Sequence, residues 1–198
     1  MMIIRPLTHY EREAVRSFYL SLSPDDRRKR FCSTVSDDTI SKYADRMNFN
    51  RDTVLGAFDE RMLLVGIAEL VHGPGASEMA FSVRPDMRGQ KIGTKLLQKL
   101  VQRAQMCSVA KVFVQFLSDN TPMRKMASRA GLSVDTVDGE SYAARELAEP
   151  SSEELAHWHM EENLSRGGYF GTLGLPRWGL LADRSANTKL LEDLAPAD

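Results

Sequence analysis

The spacing of apolar residues along the chain alternates between a helical period and a strand-like one. The clearest helical stripe lies between residues 90 and 105, where apolar side chains recur every three or four positions. Its members are Ile92, Leu96, Leu97, Leu100, Val101 and Ala104. Further helices are predicted over residues 10–20, 37–47 and 121–130, and another begins at Ser23.

Short runs rich in Val, Leu and Ile, separated by turn residues, predict seven strands. They cover residues 2–7, 53–58, 62–71, 78–83, 111–117, 132–137 and 141–147. The second, third and fourth runs are joined by the turns Asp59–Arg61 and Gly73–Gly75. These three strands are therefore predicted to pair as an antiparallel meander.

The chain has 198 residues, of which 42% are hydrophobic and 27% are charged. This length fits one domain of about 150 residues with an extension better than it fits two domains. The composition changes near Pro150, where Ser151 and Glu154 form the capping-box start of a further helix. A segment rich in glycine and aromatic residues and one more short helix are predicted over residues 167–178 and 187–194. The predicted parts are a main domain over residues 1–149 and an extension over residues 150–198.

The formal net charge of −1 conceals an uneven distribution of charge. Residues 1–83 carry a balance of −1, residues 84–131 a balance of +8 and residues 132–198 a balance of −8. A cationic middle segment suits a polyanionic ligand, and unmatched charges on a solvated helix would produce the same count.

The longest nearly unbroken apolar run, Met62–Ala68, is far shorter than the roughly 20 residues that cross a bilayer. The first residues lack the pattern of a signal peptide, so we expect a cytoplasmic protein without a membrane partner. Cys32 and Cys107 have no metal-ligand spacing and are expected to be ordinary thiols. His157 and His159 would point to different sides of a helix, so no metal site is expected.

Four consecutive basic residues, Arg27 to Arg30, fall inside the helix that begins at Ser23. Such a run occurs at nucleic-acid surfaces and on solvated helix faces. Asp25 and Asp26 directly precede it, and no aromatic-rich basic face accompanies it. We therefore predict a solvated face and no nucleic-acid partner.

The segment from Glu78 to Thr94 predicts a strand, a turn and the start of the long helix. A glycine-containing turn at a helix start exposes unpaired backbone N–H groups and the positive end of the helix dipole, and both bind phosphate. Gly89 and Gly93 lack side chains that would obstruct a ligand. Several nucleotide-binding folds contain such a turn, so it indicates phosphate binding without naming a function.

The same segment resembles the signature of the GNAT superfamily of acyl-CoA-dependent N-acetyltransferases, Gln/Arg-x-x-Gly-x-Gly/Ala after a strand ending in Val-x-Pro. The chain reads Val83-Arg84-Pro85 and then Arg88-Gly89-Gln90-Lys91-Ile92-Gly93, with Lys91 in place of a glycine. Asn120, followed by a helix ending in Ala130-Gly131-Leu132, is similar to a second block of the family. The resemblance covers residues 2–147. It implies an α+β fold with three α/β/α layers, in which helices flank a mostly antiparallel central sheet and a helical extension follows at the C-terminus.

The resemblance also implies a site for acetyl-CoA as cosubstrate. The main chain of Phe81 and Val83 would hold the pantetheine arm, with Asn120 near it. The turn would hold the pyrophosphate through Arg88, Gly89, Gln90, Lys91, Gly93 and Thr94. Arg124 and Lys125 are candidates to reach a CoA phosphate, and solvated helix charges are the alternative interpretation.

The implied chemistry is direct attack of an acceptor amine on the acetyl thioester. An alkylammonium has an ordinary pKa near 10.4, so it must first lose a proton to a base. By resemblance, Glu78 at the start of the fourth strand is the leading candidate for this base, and Glu69 on the preceding strand is the second. The family's usual tyrosine acid is replaced by Ala127, and Tyr142 is a remote alternative.

The segment Ser21–Phe31 and the turn from Arg84 to Gly93 also resemble bacterial protein-lysine acetyltransferases of the Pat type. A protein lysine is therefore one candidate acceptor, and a small amine is another. A sensor that binds acyl-CoA without turnover is the remaining alternative. The extension over residues 150–198 is a candidate lid or homodimerisation arm.

Overall fold

The computed structural model describes residues 2–156, 158 and 160, and within them helices flank one seven-stranded sheet. The strands are β1 (Ile3–Pro6), β2 (Thr53–Phe58), β3 (Leu64–His72), β4 (Ser77–Val83), β5 (Lys111–Leu117), β6 (Ser133–Val137) and β7 (Glu140–Glu146). The helices are α1 (Arg12–Leu20), α2 (Pro24–Phe31), α3 (Asp37–Arg46), α4 (Ile92–Met106) and α5 (Thr121–Arg129). Each strand begins and ends within two residues of the run that predicted it.

The sheet has the strand order β1-β2-β3-β4-β5-β7-β6. Every neighbouring pair is antiparallel except β4 and β5, which are parallel and are connected through α4. These two strands pair only where Ser77 faces Val112 and Glu78 faces Phe113. Beyond this junction β4 and β5 diverge, so the sheet is split at their C-terminal ends.

Each face of the sheet carries its own apolar core, which gives the molecule three layers. On one face, α1 and α3 pack against β2 and β3; the core residues there include Val15, Phe18, Ile40, Val54, Phe58 and Ile67. On the other face lie α4 and α5, whose core includes Leu96, Leu97, Leu100, Met123, Ala68, Leu70 and Met79. The predicted α+β fold with three layers and a mostly antiparallel sheet is therefore confirmed.

The helix starts have the capping groups that the sequence indicates. The Ser23 hydroxyl accepts a hydrogen bond from the backbone N–H of Asp26 (3.2 Å), and Pro24 occupies the first turn of α2. The start of α1 differs from the prediction, because a 3-10 turn at His9–Glu11 precedes it. There Glu11 reaches back to accept from the backbone N–H of Thr8 (2.9 Å).

The basic run in α2 is not the solvated face that the sequence predicted. The side chain of Arg30 is only 8% exposed and pairs with Glu69 (2.8 Å). Arg27 is nearly as buried and donates to the backbone carbonyls of Leu20 and Leu22. These partners lie outside the helix, and the pattern of charges within α2 does not reveal them.

The chain divides into two units after Pro150, and the fold described above is that of the first. The predicted capping box forms at the start of the second, with the Ser151 N–H donating to Glu154 (2.8 Å). Most of the extension lies outside the described residues, as do His157 and His159. The roles predicted for residues 150–198 stay predictions. Within the described part, none of the helices has the length and apolar character needed to cross a membrane.

Candidate active site

A cleft of about 520 Å3 lies at the end of the sheet where β4 and β5 separate. Its walls are α2 on one side and the N-terminal turns of α4 and α5 on the other. Eight of the nine predicted binding residues line it: Phe81, Val83, Arg88, Gly89, Lys91, Gly93, Thr94 and Asn120. The ninth, Gln90, is exposed beside the cleft, and its side-chain amide contacts the sulfur of Met87.

The N-terminus of α4 faces this cleft without a side-chain cap. The first helical hydrogen bond runs from the Lys95 N–H to the Lys91 carbonyl (3.0 Å), so the N–H groups of residues 92–94 have no partner within the helix. An uncapped helix start carries partial positive charge and free donors. It is therefore suited to a phosphate group.

The turn before α4 depends on two residues with left-handed backbone. Gly89 has φ +79°, and a Cβ there would meet no atom within 4 Å, so the requirement at this position is conformational. Lys91 also has positive φ (60°), at the position where the family signature has glycine. A residue with a Cβ loses about 1 kcal/mol or more of conformational free energy in the left-handed region, so the backbone at Lys91 is locally strained.

Gly93 has a helical backbone, so its conformation does not require glycine. A Cβ there would lie 3.2 Å from the sulfur of Met126 in α5, and that flexible side chain would have to shift by a few tenths of an ångström. At the start of α5, the Asn120 side chain accepts from the Met123 N–H (3.3 Å). This capping bond uses the Asn120 oxygen and leaves its amide donors available to the cleft.

The cleft is strongly cationic, because six basic side chains and one carboxylate line it. The basic residues are Lys29, Arg30, Arg88, Lys91, Lys125 and Arg129. Lys125 is in the cleft as the sequence allowed, whereas Arg124 instead donates to Thr136 (3.0 Å) and Ser141 (2.9 Å). Sequence reasoning missed the basic side chains that α2 and Arg129 contribute to the cleft, because helical periodicity does not reveal them.

Helix α2 is joined to the opposite wall of the cleft by two ion pairs. The Arg88 guanidinium in the turn before α4 donates to the Asp26 carboxylate, which is only 8% exposed. Arg28 pairs with Asp119 (2.6 Å) in the loop before α5. Helix α2 is therefore tied to the starts of both helices that face it.

Glu69, the second predicted base, is a buried carboxylate with both oxygens occupied. Tyr19 and Arg30 (2.8 Å) donate to one oxygen, and Tyr43 (2.5 Å) donates to the other. Burial, and then the Glu69 charge, raise the pKa of Tyr19 well above its ordinary value, and burial also raises that of Tyr43. An acceptor amine has no free oxygen of Glu69 to reach, so this network anchors α1, α2 and α3 to β3.

Glu78, the leading predicted base, is exposed at the β4–β5 junction, on the sheet face opposite α4. It does not line the cleft itself. Its carboxylate lies within electrostatic reach of Cys32. Burial raises the pKa of that thiol, and the charges of Glu140 and Glu78 add to the increase. The split in the sheet therefore separates a cationic cleft from an anionic surface that includes Glu78.

Ala127 stands at the position where the family usually has a tyrosine. It belongs to α5, and its side chain is fully buried in the core. Tyr142 lies on the same sheet face as Glu78 and stacks on Phe113, with 5.2 Å between ring centroids. No group of three or more His, Cys, Asp and Glu side chains in the described part of the chain is arranged to hold a metal ion.

Comparison with known proteins identifies the family. Residues 14–132 match the model of the acetyltransferase (GNAT) family. The GNAT domain of PAT from S. lividans is 21% identical, with a TM-score of 0.62 over 73% of this chain and 89% of that one. The ribosomal-protein-S18-alanine N-acetyltransferase from Escherichia coli is 15% identical, with a TM-score of 0.59 over 77% of this chain and 97% of that one.

A third solved structure, spermidine N-acetyltransferase from Vibrio cholerae in complex with CoA and spermine, is 12% identical, with a TM-score of 0.60 over 75% of this chain and 96% of that one. At these identities the three structures share the fold. The family match covers more than half of the chain and includes β4, the turn and α4. The protein therefore belongs to the acetyltransferase (GNAT) family and is an acetyl-CoA-dependent N-acetyltransferase.

Proposed function

We propose that this enzyme acetylates the side-chain amine of a lysine in a protein, with acetyl-CoA bound in the cationic cleft. The observation that carries the acetyl-CoA site is the uncapped N-terminus of α4, which opens into a cleft lined by six basic side chains at the split between β4 and β5. This combination fits a long ligand with a phosphate-rich end and a less polar arm. The lysine acceptor is supported by the resemblance of Ser21–Phe31 and the turn before α4 to Pat-type protein-lysine acetyltransferases.

Two parts of the cleft are suited to two different parts of CoA. The backbone N–H groups of residues 92–94 and the side chains of Arg88 and Lys91 are suited to the pyrophosphate of CoA. The pantetheine arm would lie along the end of β4, at Phe81 and Val83, where no strand pairs on the β5 side. The amide of Asn120 faces the same part of the cleft and is a donor to the arm.

The reaction we infer is direct transfer between the two substrates. The acceptor lysine first loses a proton, and its amine then attacks the carbonyl carbon of the thioester. The new C–N bond forms, and the C–S bond breaks with its electron pair leaving on sulfur. The nitrogen releases a second proton, and the products are an N-acetyl-lysine and CoA.

Glu78 is the proposed base. Its carboxylate is exposed at the junction from which β4 and β5 diverge, on the face opposite α4. An amine arriving on this face would meet Glu78, directly or through one water, before the thioester. Ala127 has no proton to give, so we assign protonation of the departing thiolate to solvent.

A thiol-release assay tests this proposal. Purified protein is incubated with acetyl-CoA and either lysine-containing peptides or small amines such as spermidine, and free CoA is measured. We expect thiol release with at least one peptide and the mass of one acetyl group on its lysine. Release with small amines alone would contradict the lysine acceptor. Tight acetyl-CoA binding without release to any acceptor would indicate a sensor.

A further inference from the structure

One face of the C-terminal half of the sheet is not covered by helices α1 to α5 of the first unit. On this side α1 and α3 pack on β2 and β3, and α2 reaches only as far as β4 and β5. Helix α5 packs against β6 from the opposite side, where Arg124 bonds to Ser141. Residues paired across neighbouring strands point to the same side of the sheet. The residues of β5, β6 and β7 that form the bare face are Phe113, Gln115, Asp135, Val137, Glu140 and Tyr142.

This surface, which we call the β5–β7–β6 face, is acidic. Asp135 and Glu140 are exposed on it, and Glu78 lies at its border with the cleft. The one cation on these strands that shares the face, Lys111, is in register with Glu146, so those two charges offset each other. Within the described residues the face therefore carries three uncompensated carboxylates.

Two aromatic rings lie at the centre of the same face. Phe113 and Tyr142 are stacked with an interplanar angle of 25°, and Tyr142 is 39% exposed. Val137 on the edge strand is 69% exposed. Exposed aromatic rings beside carboxylates attract ammonium and guanidinium groups through both the charge and the ring faces.

We propose that the β5–β7–β6 face is the docking surface for a cationic, extended segment of the protein acceptor, with basic residues on either side of the lysine to be acetylated. The inference rests on the proposed function and specifies its substrate class. Glu78 and Gln115 border the split between β4 and β5. A segment lying along the face would bring one lysine to that split while its basic neighbours contact Asp135 and Glu140.

Charge distinguishes this occupant from the other candidates. Residues 151–198 of this chain carry 8 acidic and 4 basic residues, so the C-terminal segment has the same sign of charge as the face and is matched poorly to it. A second copy of the chain would present the same acidic face across a two-fold axis, which like charges oppose. A basic polypeptide has the opposite charge, so it meets no such repulsion at this face.

The first measurement is direct binding, which needs no catalysis. A fluorescein-labelled peptide with one lysine between arginines is titrated with the full-length protein, and anisotropy is followed at low and physiological salt. We expect binding that weakens with salt, and that the double variant Asp135→Lys/Glu140→Lys weakens by about ten-fold or more. The double variant Glu13→Lys/Asp38→Lys, at exposed positions of α1 and α3, is the charge-matched control and should bind as the wild type does.

The second measurement is kcat/KM for the cationic peptide and for a peptide with alanine flanks. The double variant should lower kcat/KM for the cationic peptide and leave the neutral peptide and acetyl-CoA affinity unchanged. Equal binding of both peptides by the wild type, or equal loss for both in the variant, would overturn the docking surface. If no peptide is acetylated but the anisotropy result holds, the acceptor assignment fails while the surface stands.

Light scattering completes the test. A wild-type dimer that becomes a monomer on Val137→Lys substitution would show that a second copy occupies the face, and would overturn the proposal. If the wild type and the Val137→Lys variant are both monomers, no second copy occupies the face, and the proposal is supported.

Discussion

The guanidinium of Arg88 donates to the carboxylate of Asp26, which lies 62 positions earlier in the chain. The pair joins the turn before α4 to α2 and places a nearly buried negative charge beside the proposed pyrophosphate site. A phosphate ligand must therefore compete with Asp26 for Arg88, and it meets some repulsion from the same carboxylate.

Asp26→Asn is expected to tighten acetyl-CoA binding by about two- to five-fold, because it frees Arg88 and removes the repulsion. Isothermal titration calorimetry measures the change. Asp38→Asn is the control, since Asp38 is exposed, pairs with Lys42 (2.7 Å) and lies outside the cleft, as does its partner. Weaker binding in Asp26→Asn would mean instead that Asp26 orients Arg88 for the ligand.

Lys91→Gly should separate backbone strain from charge. Glycine adopts the left-handed conformation without penalty, so the free energy of unfolding should rise by up to about 1 kcal/mol. Acetyl-CoA affinity should fall, because a phosphate contact is lost. Lys91→Gln loses the charge but keeps the Cβ, so it should share the loss of affinity without the gain in stability. Urea unfolding and calorimetry distinguish the two variants.

Glu78→Gln should lower kcat/KM for the amine acceptor by about two orders of magnitude near pH 7, because the acceptor must then lose its proton to solvent. The deficit should shrink as the pH approaches the ordinary lysine pKa near 10.4, where free amine becomes abundant. Acetyl-CoA affinity should stay unchanged. A pH-independent deficit, or none, would remove Glu78 as the base.

Glu69→Gln should destabilise the fold by about 3–5 kcal/mol, because it leaves the Arg30 charge buried and unpaired. The variant Tyr19→Phe/Arg30→Met/Tyr43→Phe/Glu69→Met should be less destabilised, since it leaves neither a buried charge nor a buried hydroxyl of the network unpaired. Equilibrium unfolding of the two variants makes the comparison. A Glu69→Gln protein of wild-type stability with kcat/KM reduced as in Glu78→Gln would instead favour a catalytic role.

The same network predicts a loss of stability in alkali. Folding raises the pKa of Tyr19 and Tyr43, so above about pH 10 the unfolded chain loses these protons while the folded chain keeps them. The stabilisation is therefore complete below pH 10 and decreases as the pH rises further, by at most about 1.4 kcal/mol per pH unit for each tyrosine. Unfolding at several pH values should show a shallower decrease in Tyr43→Phe. Tyr10→Phe, at an exposed position, should not alter it.

The elements were predictable because their signals are local. The α4 stripe and the Ser23 and Asn120 caps all belong to short stretches of chain. The mostly antiparallel sheet followed from the resemblance to the family. The full order of the strands was not predicted, since periodicity does not specify which strands pair.

The features that sequence reasoning missed all depend on distant partners. Arg30 is buried because Glu69, 39 positions away, supplies the compensating carboxylate. Asp26 lines the cleft and pairs there with Arg88, 62 positions away. A run of charges within one helix gives the same pattern whether its partners are water or another element, so the sequence predicts a solvated face for Arg27 to Arg30.

The junction at Ser77 and Glu78 leaves the two halves of the sheet connected by only two pairs of residues. The native state is expected to open locally at this junction, because few backbone hydrogen bonds must break to separate β4 from β5. A ligand that contacts both strands stabilises the state in which they remain paired, and a tighter ligand stabilises it more. Amide hydrogen exchange along β4 and β5 should therefore slow on acetyl-CoA binding, and the cosubstrate becomes part of what keeps the domain cooperative.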